Sequence, residues 1–110
     1  MIARLWHGKV PAEKAAAYHE FLKLSGLKDY ASTEGNQAVY LLKKDEDEVT
    51  HFYTLTFWED MEAIKKFAGE EPLKARYYPE DKDFLLEFEP HVSHMEVLEE
   101  IRPGAGVSNL

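Results

Sequence analysis

Residues 49–58, Val-Thr-His-Phe-Tyr-Thr-Leu-Thr-Phe-Trp, are β-branched or aromatic at nearly every position, the composition of a strand. Successive side chains of a strand point to opposite faces. His51, Tyr53, Leu55 and Phe57 therefore share one side, and Phe52, Thr54, Thr56 and Trp58 the other. Aromatic rings stand on both. A sheet with one solvated face alternates apolar with polar residues, so this strand asks for cover on each side. The strand expected to pair with it, residues 38–43, repeats the pattern, with Val39 and Leu41 opposed to Tyr40 and Leu42.

The rest of the chain supplies two helices and two more strands. Residues 2–10 read as a strand interrupted at Gly8. Pro11 suits a first helical turn, and Ala15, Tyr18, Phe21 and Leu22 recur at helical spacing, which predicts a helix over about 11–25 with Gly26 as its stop. Residues 28–36 read as turn, and the acidic run 44–48 as a solvated hairpin loop. Asp60 caps a short helix whose face is Met61, Ile64, Phe67 and Ala68, with Gly69 ending it. Residues 72–76 predict one more helical turn, 77–81 a loop, and 85–99 a long last strand with Pro90 at a bulge or edge. The order β-α-β-β-α-β predicts an α+β ferredoxin-like sandwich over residues 1–101, followed by a loose tail over 102–110. Two helices cover one face of a four-stranded sheet. Burying a large side chain is worth roughly 1.5–3 kcal/mol, so the economical cover for the other face is a second copy of the chain, and a homodimer is expected.

Charge narrows the partners. The chain has 110 residues with 13 Lys and Arg against 21 Asp and Glu, a formal charge of −8, which repels nucleic acid and anionic membrane surfaces. An RNA-binding use of the same fold would also want a basic surface and stacked aromatics in an RNP pattern, which are lacking. No run approaches the roughly 20 apolar residues of a membrane span, and a soluble cytoplasmic protein is expected. Cysteine is absent, which excludes disulfides and thiolate chemistry. No histidine pair has the i, i+4 helical spacing of a chelate, so no metal is expected.

The element order, the run Leu55-Thr56-Phe57-Trp58-Glu59-Asp60 before a helix carrying Ile64 and Phe67, and the final strand resemble the antibiotic biosynthesis monooxygenase superfamily over about residues 1–100. The runs Ala75-Arg76-Tyr77-Tyr78-Pro79-Glu80-Asp81 and Phe84-Leu85-Leu86-Glu87-Phe88-Glu89-Pro90 resemble an uncharacterised bacterial branch of it. The resemblance implies a dimeric α/β barrel with a ligand cleft in each subunit, between the sheet and its helices. Characterised members include cofactor-free oxygenases of polycyclic phenols and haem-degrading enzymes. The haem-degrading pattern is an asparagine on the first strand, a tryptophan on the second helix and a histidine after it. The matching places here hold His7 or Trp6, Phe67 and Tyr77 and depart from it. What remains implied is a cofactor-independent monooxygenase-like protein acting on a small aromatic or quinone-type molecule. The alternative is a non-catalytic small-ligand-binding or stress-related dimer.

Such an oxygenase lets its substrate supply the electrons: a phenol is deprotonated and the anion reacts with dioxygen. The protein supplies an apolar pocket, a base and donors that stabilise the anion. Of the five histidines, His7 and His51 lie on central strands and are the base candidates. Tyr77 joins them as a catalytic candidate. Trp6, Trp58, Phe67, Arg76 and Tyr78 are the candidates for lining the cleft, with indole, phenol and guanidinium donors. Each has an ordinary structural role open to it, Trp6 and Trp58 as core and the 76–78 stretch as a lid over its own sheet.

Overall fold

A computed structural model describes residues 1–104. The chain forms β1 (Ile2–Pro11), a 3-10 turn (Ala12–Lys14), α1 (Ala15–Leu24), α2 (Gly26–Ser32), β2 (Asn36–Glu46), β3 (Val49–Trp58), α3 (Met61–Ala68), a second 3-10 turn (Pro79–Asp83) and β4 (Ser93–Glu96). The four strands make one sheet in the order β2-β3-β1-β4, with all three pairings antiparallel. This is the ferredoxin-like α+β arrangement expected from the element order. The expected loose tail lies, from residue 105 onward, outside the described residues.

Several elements differ from expectation. Residues 72–76 form no helix but a turn at 72–73 and an isolated bridge from Lys74 to His91, and a 3-10 turn over Pro79–Asp83 replaces part of the loop expected over 77–81. Gly26 does not stop the first helical stretch: the chain breaks at Ser25, whose hydroxyl donates to the Phe21 carbonyl at 2.8 Å, and helix resumes as α2. Gly26 is buried, and a Cβ there would meet the Leu22, Tyr30 and Tyr78 side chains at 3.9–4.0 Å. The acidic run is mostly strand. β2 continues to Glu46 beyond the covered part of the sheet, and Asp47, at φ 57°, turns the hairpin. The last strand is short. Residues 84–92 run irregularly past the edge of the sheet, touching β1 through Leu86 N–H to the Lys9 carbonyl at 2.9 Å, and only 93–96 form a ladder. Pro90 has no N–H to give to one.

The inner face of the sheet carries the even-numbered residues of β1 and β3, and the helices cover it. Val10, Trp58 and Thr56 are fully buried there, with Phe52, Thr50 and Arg4 almost so. Two apolar clusters result. One gathers Trp6, Val10, Tyr18, Leu22, Phe52 and Leu85 under α1, the other Tyr30, Trp58, Ala63, Ile64 and Phe67 under α2 and α3. Asp60 caps α3 by accepting from Ala63 N–H at 2.9 Å.

Gly8 does not interrupt β1; it makes room for Trp6. A Cβ at Gly8 would stand 2.4 Å from Cη2 of the Trp6 ring and 2.9 Å from Leu85. A buried indole has no space into which to yield. Gly8→Ala is therefore expected to destabilise the chain by about 1–3 kcal/mol, read as a lower urea midpoint at unchanged m-value.

The outer face carries Leu5, His7, Tyr53, Leu55, Phe57, Tyr40, Leu42 and Met95, in cross-strand register from β2 to β4. It is apolar and open: Tyr40 is 54% and Met95 47% exposed. Beyond β4 the chain runs along one side of this face. With Tyr40, Leu42, Leu55 and Phe57, residues 97 and 99–102 wall a groove of about 770 Å³. Among the described residues no helix is long and apolar enough to cross a membrane.

Candidate functional site

The inner cleft opens between the two apolar clusters. Trp6 and Thr54 form its floor, α1 and α2 bring Tyr18, Leu22, Gly26 and Tyr30, α3 brings Phe67, and the stretch after α3 brings Arg76, Tyr78 and Asp81. Four of the five ligand-binding candidates, Trp6, Phe67, Arg76 and Tyr78, thus share one wall system. Trp58 stands apart from it. Its ring is fully buried against Tyr30 and Phe67, and its Nε1–H donates to Thr56 Oγ1 at 2.8 Å.

The polar groups of the cleft are tightly tied. Asp81 is 3% exposed; its carboxylate accepts from the Tyr18 hydroxyl at 3.0 Å and from the Tyr78 backbone N–H at 2.7 Å. Burial outweighs these two donors and holds the Asp81 carboxyl above its ordinary pKa. Burial, with the carboxylate of Asp81 beside it, likewise pushes the Tyr18 phenol up. Tyr78 donates to Asp29, which also accepts from Arg76 at 3.3 Å. The Arg76 guanidinium lies 4.7 Å over the Phe67 ring and 5.2 Å from the Tyr78 ring centre. Tyr30 exchanges a hydrogen bond with Thr54 at 3.0 Å. The space left is about 20 Å³, enough for a water but not for a ring. A ring-sized guest does not fit the cleft in this arrangement.

A carboxyl whose native pKa is raised binds its proton more tightly folded than unfolded. Its contribution to stability therefore rises as pH falls through the raised pKa and levels off below the ordinary carboxylate value. Asp81→Asn is expected to remove that segment from the curve of Tm against pH. The check is the difference between wild-type and variant melts from pH 7 down to pH 3.

The histidine candidates stand on the other side of the sheet. His7 and His51, neighbours on β1 and β3, face outward with their rings stacked at 5.1 Å between centres, and His7 Nε2 meets His51 Nδ1 at 2.8 Å. The chain extends at both ends: His7 Nδ1 bonds the Glu89 carboxylate, and His51 Nε2 lies 3.4 Å from Glu46. Tyr77 lies near this row and near the cleft. Its hydroxyl donates to the Glu89 carbonyl at 2.6 Å, and its ring meets Trp6 edge-on. Burial is the main reason its phenol sits above the ordinary pKa.

Sequence reasoning left out Tyr18, Tyr30, Asp81 and Arg4. Tyr18 read as helix core, and Tyr30 fell in the stretch read as turn, which the structure makes α2. Asp81 closes the Arg-Tyr-Tyr-Pro-Glu-Asp run and carried no sign of burial. Arg4 did carry a signal, as the one charge among the even positions of β1, Ile2, Arg4, Trp6, Gly8 and Val10. Among the described residues no group of three or more His, Asp or Glu stands close enough together to hold a metal ion.

The fold has solved counterparts. A Nitrosomonas europaea protein of unknown function superposes with TM-score 0.64 at 17% identity, covering 94% of each chain. A proposed antibiotic biosynthesis monooxygenase from Bacillus cereus gives 0.62 at 15%, covering 91% of this chain and 97% of that one. An arginine-to-serine mutant of MhuD, with two manganese protoporphyrin IX molecules bound per active site, gives 0.59 at 16%, covering 93% and 99%. At these identities the likeness is one of fold. Comparison with curated protein sequences gives no match. The sequence model of one family, described as antibiotic biosynthesis monooxygenase, matches residues 1–76, from β1 through α3 to Arg76 at the rim of the cleft. The chain belongs to the antibiotic biosynthesis monooxygenase family.

Proposed function

We propose that this chain works in the cytoplasm as a homodimeric, cofactor-independent monooxygenase-like protein, acting on a small aromatic or quinone-type molecule held in the inner cleft of each subunit. The observation that carries the reading is one cleft lined by the rings of Trp6, Phe67, Tyr30 and Tyr78 together with a buried carboxyl, Asp81, hydrogen-bonded to Tyr18. Aromatic walls bind a ring by its faces and edges. A carboxyl whose pKa is raised by burial is a stronger base than an ordinary carboxylate, which suits it to taking a phenolic proton. Arg76 and the tyrosine hydroxyls are the donors that favour the resulting anion. Dioxygen is the oxidant: the anion's ring carbon forms a C–O bond to it, and the O–O bond then breaks with loss of water to leave the quinone, so one oxygen atom enters the product and the other leaves as water, with no bound cofactor.

The base role falls to Asp81 rather than to His7 or His51, because these point away from the cleft. Tyr77 acts by bracing Trp6. The dimer reading rests on the apolar outer face, whose half-exposed rings a second copy covers. The test is oxygen uptake by the purified chain over a panel of hydroquinones and polyphenols. Turnover is expected for at least one, lost in Asp81→Asn and kept within a few fold in His7→Gln. The competing reading is a ligand binder without chemistry. It predicts ring binding by calorimetry with no oxygen consumed.

A further inference from the structure

Among the described residues, Arg4 is a buried cation without a counter-ion. It lies on the inner face of β1 and is 1% exposed. Its guanidinium makes two long hydrogen bonds, to the Tyr30 hydroxyl at 3.4 Å and the Lys74 carbonyl at 3.3 Å, and its Nε–H has no partner. Among the described residues no carboxylate stands in ion-pair range of it, whereas Arg76 has Asp29 at 3.3 Å. A guanidinium stays charged when buried, and a buried charge left unpaired is strongly unfavourable. Its aromatic contact, the Phe67 ring 5.4 Å away, offsets little of that.

A second orphan sits beside it. His94 on β4 is the direct cross-strand partner of Arg4, so the two side chains share the inner face. The His94 Nε2 is also buried and without a partner. Two unsatisfied nitrogens at one paired position, next to a second guanidinium, make a place rich in donors. Tyr30 and Phe67 connect it to the cleft, since both line the cleft and both touch Arg4.

We propose that Arg4 and His94 form an anion-binding subsite at the inner end of the cleft, and that the molecule taken there is an aromatic ring bearing an anionic oxygen group, a carboxylate or an ionised phenol. This rests on the reading of the cleft as an aromatic-binding site and adds the charge of its guest. In an opened cleft the ring lies against Phe67 and Tyr30, and an anionic oxygen takes the Arg4 Nε–H, the one guanidinium nitrogen left without a partner. The His94 Nε2, in the tautomer that carries its hydrogen there, adds one N–H from the neighbouring strand.

Calorimetry on the full chain tests this with two probes of similar shape, 4-hydroxybenzoate and the uncharged 4-hydroxybenzyl alcohol. The wild-type chain is expected to bind the carboxylate at least about tenfold more tightly. Arg4→Gln is expected to abolish that preference while leaving the alcohol's affinity within about twofold. Its melting temperature should hold or rise, because the unpaired charge is gone. A second readout needs no variant: the Arg4 Nε–H resonance of the wild-type chain should shift with the carboxylate and not with the alcohol. Equal wild-type affinities overturn the subsite and leave the aromatic cleft standing. A preference that survives Arg4→Gln, an unmoved Nε–H signal or a steep stability loss in the variant also overturns it. Binding of neither probe overturns the cleft reading together with the subsite.

Discussion

Trp58→Ala is expected to be the most damaging single substitution in the chain, lowering the free energy of unfolding by about 3–5 kcal/mol. The ring is fully buried, closes the cluster under α2 and α3 against Tyr30 and Phe67, and ends the central strand. Its Nε1–H bond to Thr56 is lost with it, leaving a buried hydroxyl that still donates to the Arg4 carbonyl at 3.3 Å. Small domains have about 5–15 kcal/mol to lose. The variant is therefore expected to melt well below the wild type and to be partly unfolded at 37 °C by far-UV circular dichroism. Trp58→Phe refills most of the volume and should recover much of the loss. A Trp58→Ala chain as stable as the wild type, yet impaired in binding rings, would instead make Trp58 a ligand residue.

Leu55→Glu is expected to separate the proposed homodimer into folded monomers. Leu55 sits near the middle of the outer face, registered with Leu5 on β1 and Tyr40 on β2. In a two-fold assembly each substitution enters twice, so two carboxylates are desolvated against an apolar face at once. A loss of about 3 kcal/mol or more, at least 100-fold in dissociation constant, follows. Ultracentrifugation at micromolar concentration is the check. The wild type should sediment at twice the 12.7 kDa subunit mass and the variant at 12.7 kDa, with unchanged far-UV spectrum. A monomeric wild type would remove the dimer from the proposal. A variant that stays dimeric would move the interface to another surface.

Much of this architecture is written locally. Strand parity in 49–58 and 38–43 predicted which side chains share a face, and the buried-half-buried alternation along β3 follows it residue by residue. Parity even contained the separation of His7 from Trp6, one residue apart on one strand, although nothing local said that the helices cover the side of Trp6. The misplaced boundaries have one cause in common. Whether 26–32 continues as helix, or 85–92 as strand, depends on what lies beneath the segment. Gly26 and Tyr30 stay helical because Leu22, Tyr78 and Arg4 give them surroundings to fit. Residues 84–92 leave the ladder while Glu89 reaches His7.

Element order, face parity and the surplus of apolar surface over helical cover were thus determined by the sequence alone, because a strand's two-residue period and a helix's 3.6-residue period are properties of neighbouring residues. The cleft was decided by the tertiary structure. Tyr18 meets Asp81 across 63 positions and Arg4 meets Tyr30 across 26. Such meetings follow from how α1 and α2 cross the sheet, and the burial that lifts the Asp81 carboxyl and leaves Arg4 unpaired exists only once they have crossed.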